Sequence, residues 1–246
     1  MFDALFTTTT EYKKLSHALS GKGACALFGL PASGRAQVYA ALCRQLDKPL
    51  CIVTPGEAEA TRFAADLNTL GIPAAVFPAR DYVLRPIEGT AREYEYRRLA
   101  VLGELVGGRL RAVAVPAEAL TQFTTPKEDF CANTRTLHAG DTLLRDDLLA
   151  ALFGAGYTRR AQVDGPGQFS VRGDIVDIFA PDQKMPVRME FWGDEIDTLH
   201  TFDLTTQRRE DAIDKFYLSP AREVLFGKPA DAAEQLRAFL AKQRGK

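Results

Sequence analysis

Four cysteines and three histidines are all that this 246-residue chain offers to thiol or imidazole chemistry. Cys25, Cys43, Cys51 and Cys131 form no close pair, and His17, His138 and His200 lie far from them. Neither a zinc site nor a disulfide framework is indicated, and the thiols read as buried side chains in a reducing compartment. A basic excess is missing too. Lys and Arg total 31 against 32 for Asp and Glu, a net charge of -1, so the footprint that drives binding to a polyanion is absent. Long apolar runs are also missing. The opening "MFDALFTTTTEYKKLSHALS" has no continuous signal-peptide core, and no stretch is long enough to cross a bilayer. A cytoplasmic protein is expected, with no membrane partner, and neither an internal repeat nor a low-complexity segment is visible.

What is present is ordinary globular material, 46% hydrophobic and 26% charged, enough for one large domain or two modest ones. From about residue 24 to 123, short apolar runs alternate with helical patterns. "ACALFGL", "LCIVT", "AAVF" and "RAVAV" read as strands, and "SGRAQVYAALCRQL", "GEAEATRFAADLNTLG" and "AREYEYRRLAVLGELV" as helices. That βα rhythm predicts a mostly parallel sheet covered on both faces. "PARDYVLRPIEGT" interrupts it as a long loop. After the helical "DTLLRDDLLAALFGAG" the rhythm changes to closely spaced strands, "YTRRAQV", "QFSVRGDIVDIF", "PVRMEFW" and "EIDTLHTFD". This half is expected to be antiparallel and smaller. "DAIDKFYLSP" offers one more strand, and "ADAAEQLRAFLAKQR" ends the chain on a helical pattern.

The stretch "GLPASGRAQ" puts Gly29 and Gly34 where a phosphate-cradling loop places its glycines, after a strand pattern and before a helix. Arg35 and Ala36 then stand where that loop needs Lys and a hydroxyl residue. Ala36 has no oxygen for magnesium, and the planar guanidinium of Arg35 does not substitute for a compact ammonium. Pro31 removes one backbone donor as well. The motif reads as a degenerate nucleotide loop or a plain strand-to-helix turn.

"DGPG" at 164–167 has strong turn chemistry, and a four-residue loop there pairs Val163 with Gln168. Counting outward sets Arg159 opposite Arg172 and Ala161 opposite Ser170, with both arginines toward water. Phe169, Val171 and Ile175 share the other face. Like charges across a ladder cost a few tenths up to about 1 kcal/mol, so a compensating acidic partner is implied. The plain alternative is a solvated strand face carrying two unrelated charges. "MEFWGDEID" reads as a second hairpin with Met189 and Phe191 on one face and solvated acids, Asp194 and Glu195, at its turn. No catalytic residue and no metal site are assigned.

"YTRRAQVDGPGQFSVRGDIVDIFAP", followed by "PVRMEFWGDEIDTLHTFDLTTQR", resembles the N-terminal module of bacterial transcription-repair coupling factors and, more distantly, the excision-repair protein UvrB. The resemblance runs from the phosphate-loop region to "FYLSPAREVLF". It implies an α/β fold: a RecA-like parallel-sheet layer with a degenerate P-loop at Gly29, Gly34, Arg35 and Ala36, plus a smaller inserted α+β domain with an antiparallel sheet. Residues 1–125 would form the first part of the layer, 126–210 the inserted UvrA-binding domain, and 211–246 a return segment to the layer, cut short.

In UvrB-like proteins the arginine-bearing hairpin contacts UvrA. The resemblance carries that role to Arg159 and Arg172, with Phe169 and Ser170 beside them; Ser170 replaces a third arginine of that pattern. It implies a non-catalytic adaptor without a cofactor, whose partners are UvrA and other domains of its parent protein. DNA and RNA polymerase would be reached only through domains absent from this chain. The aromatic hairpin with which UvrB verifies damage corresponds to the shorter "PARDYVLRPIEGTAREYEY", so that role is not expected. The alternatives are an ATP-binding UvrB-type excision nuclease subunit and a structural DNA-binding arm.

Overall fold

The structure, a computed structural model, describes residues 7–21, 24–46, 49–80, 91–223, 237 and 241. The chain divides into two compact units, Met1–Leu84 with Glu104–Phe123 and Arg85–Gly103 with Thr124–Lys246.

In the first unit helix α1 (Thr10–Ser20) begins at Thr9, whose hydroxyl accepts from the Tyr12 N–H at 3.3 Å. Such a cap satisfies one of the orphan donors of a helix start. Helix α2 (Ala32–Gln45) leads to β1 (Leu50–Thr54), α3 (Glu57–Thr69) and β2 (Ala74–Val76). After α4 (Ala91–Val106), which crosses the boundary between the units, come β3 (Ala112–Pro116) and the short α5 (Ala117–Leu120). The three strands are parallel in the order β1-β3-β2, as the βα rhythm requires. Ile52, Ala112 and Ala114 meet Ala60, Phe63, Ala64 and Leu67 of α3 in one core, together with Ala36 and Ala40 of α2.

Two expectations for this unit fail. "ACALFGL" is not a strand, and Leu27 and Phe28 are exposed. A strand needs a ladder partner as well as apolar side chains, and this segment pairs with none of the described strands. Cys51 and Val53 on β1 are exposed as well, so the sheet is not covered on both faces there. The thiols differ from expectation in the same way: Cys43 is buried, whereas Cys25, Cys51 and Cys131 are exposed. Residues 81–90 of the expected loop and the helical pattern after Glu223 lie outside the described residues, save for two isolated positions.

The second unit contains α6 (Lys127–Ala132), β4 (Arg135–His138), α7 (Arg145–Gly154), β5 (Thr158–Arg159), β6 (Gln168–Arg172) and β7 (Ile175–Phe179). These are followed by β8 (Val187–Trp192), β9 (Glu195–Phe202), β10 (Arg209–Ala212) and β11 (Lys215–Leu218). A six-stranded sheet runs in the order β10-β9-β8-β7-β6-β5, antiparallel except for a short parallel pairing of β5 with β6. β11 pairs antiparallel with β4. Residues 211–218, expected in a return to the first layer, are therefore held by β9 and β4.

One face of the six-stranded sheet carries Phe169, Val176, Ile178, Val187, Met189, Phe191, Ile196 and Leu199 against Leu148 and Leu152 of α7. Strict alternation of side chains on β6, β7 and β8 selects this set. The unit is closed by Arg98 of α4, whose guanidinium meets the Glu223 carboxylate through Nε and Nη2 at 2.8–3.0 Å with both side chains fully buried. Glu95 accepts from the Glu223 N–H, and the Thr125 hydroxyl donates to the Glu223 carbonyl.

Candidate protein-interaction face

The second face of the six-stranded sheet is built from the residues that alternate with that core. Gln168, Ser170 and Arg172 of β6 lie beside Phe179, Asp177 and Ile175 of β7, and Asp177 and Ile175 lie beside Arg188 and Glu190 of β8. Arg188 and Glu190 in turn neighbour His200 and Thr198 of β9. At one end Val163, Phe179 and Phe202 bury one another under Leu204. Toward the other end the face opens, and it finishes at Trp192, which is 82% exposed.

Asp177 is the centre of the polar rows. Its carboxylate, 1% exposed, accepts from Arg172 Nη2 at 2.6 Å and from Arg188 Nε and Nη2 at 2.7 and 3.0 Å. The hydrogen bond to Asp177 raises the pKa of Arg188 above its ordinary value. Arg188 also donates to the Gln207 carbonyl and stacks over the Phe202 ring at 4.8 Å. Gln207 holds this position with a left-handed φ of 59°, its amide nitrogen donating to the carbonyls of Val163 and Leu204. Two residues further along β8, Glu190 pairs with Arg209.

The expected arginine pair is not formed. In place of an antiparallel partner to β6, the segment before "DGPG" contributes only Thr158 and Arg159, paired in parallel so that Arg159 neighbours Phe169. Paired residues share a face, so Arg159 stems from the core-side pleat and Arg172 from the open one. The hairpin partner of β6 is β7, joined through Gly173 and Asp174, and Arg172 stands opposite Ile175. A glycine with φ of 61° at the first central position makes a tight two-residue turn that outcompetes the longer loop at 164–167.

Arg159 is exposed and without a hydrogen-bond or ion-pair partner among the described residues. Phe169 and Ser170, expected at a partner surface, are both buried. Phe169 packs edge-on against Phe153 at 5.2 Å, and the Ser170 hydroxyl finds no partner. The reading of the second hairpin holds: Met189 and Phe191 are buried, and Asp194 and Glu195 are exposed. Asp177, Arg188 and Gln207 were not singled out in the sequence. The alternation of "IVDIF" and "VRMEF" contains the signal, because Asp177, Arg188 and Glu190 each stand between two core residues.

In the first unit Gly29 has a φ of 82° and helix α2 starts at Ala32. The N–H groups of Gly34 and Arg35 both donate to the Pro31 carbonyl, at 3.0 and 3.1 Å. Arg35 pairs with Glu59 at 3.6 Å on the surface, and Ala36 is buried in the core between α2 and α3. No group of three or more metal-ligating side chains occurs among the described residues, and no described helix is long and apolar enough to cross a membrane.

Residues 136–224, which include the six-stranded sheet and β11, match the family described as UvrB interaction domain. Relatives extend over more of the chain. It is 35% identical over 208 residues to a transcription-repair-coupling factor of Myxococcus xanthus, covering 80% of this chain and 17% of that protein. It is 37% identical over 219 residues to that of Mycobacterium bovis, covering 85% and 18%. It is also 28% identical over 226 residues to the UvrABC system protein B of Chlorobium limicola, covering 86% of this chain and 32% of that protein. The chain thus spans less than a fifth of the length of these coupling factors.

Proposed function

Because the chain is a UvrB-like module related over four-fifths or more of its length to transcription-repair coupling factors, with a UvrB interaction domain at 136–224, we propose that it is a non-catalytic adaptor that recruits UvrA. The contact is made by the open face of the six-stranded sheet. One observation carries the assignment. Within the matched domain, Arg172 is held by Asp177 through Nη2 while 46% of its side chain stays exposed.

A guanidinium positioned by an internal carboxylate is pre-organised to take a second, external one. Arg159, at the sheet edge and roughly 10 Å from Arg172 along the strand direction, reaches a partner that passes around that edge. Phe169 and Ser170 act from beneath, the first by packing and the second by allowing the close approach of Asp177.

The first unit serves as scaffold and binds no nucleotide. Its candidate phosphate loop spends two N–H groups on Pro31 and buries Ala36, the position where magnesium would need a hydroxyl. DNA, RNA polymerase and other domains of a parent protein are engaged through segments outside this chain.

The test is retention of purified UvrA on immobilised protein, comparing wild type with Arg172→Ala, Arg159→Ala and the double variant. Arg172→Ala is expected to weaken binding by about 2 kcal/mol, near thirtyfold, and Arg159→Ala by less. Undiminished retention by the double variant removes the site assignment. Titration of the wild type with ATP and magnesium is expected to give no saturable signal; micromolar binding lost in Gly34→Val would restore the nucleotide site.

A further inference from the structure

The open face ends on an exposed indole that the adaptor reading leaves unused. Trp192 is the chain's single tryptophan. It closes β8 opposite Glu195, where Gly193, with φ of 63°, turns the chain into β9. Phe191 faces the core and Trp192 the opposite side, the same side as Glu190, Ile175 and Arg172. Two strand spacings and two residues separate it from Arg172, roughly 12 Å. No hydrogen bond or ring contact holds the indole among the described residues. A singly exposed apolar side chain is ordinary on a surface, and what distinguishes this one is the arginine-bearing face it shares.

The charges on this face are layered. Three guanidiniums, those of Arg172, Arg188 and Arg209, stand against the carboxylates of Asp177 and Glu190, and at the hairpin tip the exposed Glu195 stands opposite Trp192. Asp177 and Glu190 lie beneath, 1% and 20% exposed, while Arg172 and Arg209 stand outermost at 46% and 48%. Solvent therefore meets two outward arginines on the same face as the tryptophan, with the exposed acids Asp174, Asp194 and Glu195 at its hairpin-tip end. Arginine and tryptophan are the side chains most enriched where a few residues carry an interface, with the aromatic seated in a dry pocket and the charges at its rim.

We propose that Trp192 is the apolar anchor of this face, inserting into a pocket on a protein surface of mixed charge whose carboxylates are met by Arg172 and Arg209. The proposal rests on the adaptor reading and names the part of the surface that supplies its dry centre. Single-stranded nucleic acid also stacks on indoles. A face whose three guanidiniums are balanced by Asp177, Glu190 and Glu195, in a chain without basic excess, lacks the phosphate-neutralising charge that such binding needs. A protein is the occupant that fits.

The whole chain labelled with 5-fluorotryptophan carries one fluorine, at Trp192. Adding unlabelled UvrA is expected to shift or broaden its resonance and to shield it from a soluble gadolinium chelate. Trp192→Ala is expected to bind UvrA at least tenfold more weakly and Trp192→Phe to recover most of that loss, with unchanged circular dichroism and melting midpoint in both variants. If UvrA binds wild type and Trp192→Ala within twofold, and the fluorine stays open to the chelate while Arg172→Ala releases UvrA, the anchor is wrong and the adaptor reading stands. If the wild type does not bind UvrA, both fall. A fluorine response to oligo-dT that weakens with salt would assign the face to nucleic acid and overturn the proposal.

Discussion

Asp177 shows how a single buried carboxylate can determine what a surface offers. An isolated charge at that burial would be costly. Three charge-assisted hydrogen bonds satisfy it and keep Arg172 and Arg188 at defined positions on the open face. Tyr157 is the second residue whose environment makes a measurable difference. Its hydroxyl donates to the Ser219 carbonyl at 2.7 Å, and burial pushes its pKa well above 10.0. The raised folded-state pKa means that this tyrosine adds stability below the unfolded value near pH 10 and loses it as pH rises toward the folded one. Unfolding free energy of the wild type is expected to fall above pH 10 with an extra slope of up to about 1.4 kcal/mol per pH unit. Tyr157→Phe should lack that component and cost about 1 kcal/mol at pH 7 through the lost hydrogen bond. Urea unfolding between pH 7 and 11 checks both, and identical alkaline slopes in the two proteins would rule the explanation out.

Among the elements, the β6–β7 hairpin matters most, because its register decides which pleat Arg172 occupies. Two strong turn signals compete in this stretch, "DGPG" and Gly173-Asp174. The second wins because a two-residue turn with a left-handed glycine matches the right-handed twist of its strands and closes a five-residue ladder. Nothing lies within 4 Å of a Cβ built at Gly173, so a substitution there suffers from backbone conformation and not from crowding. Gly173→Ala is expected to lower the urea-unfolding free energy by about 1–2 kcal/mol. Because Arg172 adjoins the turn, the same change should weaken UvrA retention. A stability change below about 0.3 kcal/mol would show that the turn does not hold the register.

At the scale of the whole chain, the second unit is assembled from segments far apart in sequence. α4 brings Arg98 to Glu223, 125 positions later, and the pair is fully buried. Removing one partner of such a pair leaves a desolvated charge, so Glu223→Ala is expected to destabilise this unit by about 3–5 kcal/mol, read as a shifted urea midpoint. The paired change Arg98→Met with Glu223→Leu should cost far less. Equal losses in both proteins would mean that packing and not charge compensation dominates there.

Composition and periodicity by themselves determined the two halves of this protein: a parallel βα unit first and an antiparallel sheet second, with Met189 and Phe191 in the core and no basic footprint. Both follow from local chemistry, since alternation and turn residues act within a few positions. The strand order, the partner of β6, the burial of Ser170 and the separation of Arg159 from Arg172 were decided by tertiary structure alone. Each depends on which of several competent segments pair, and that choice is made by the core that α7 and the neighbouring strands close around them.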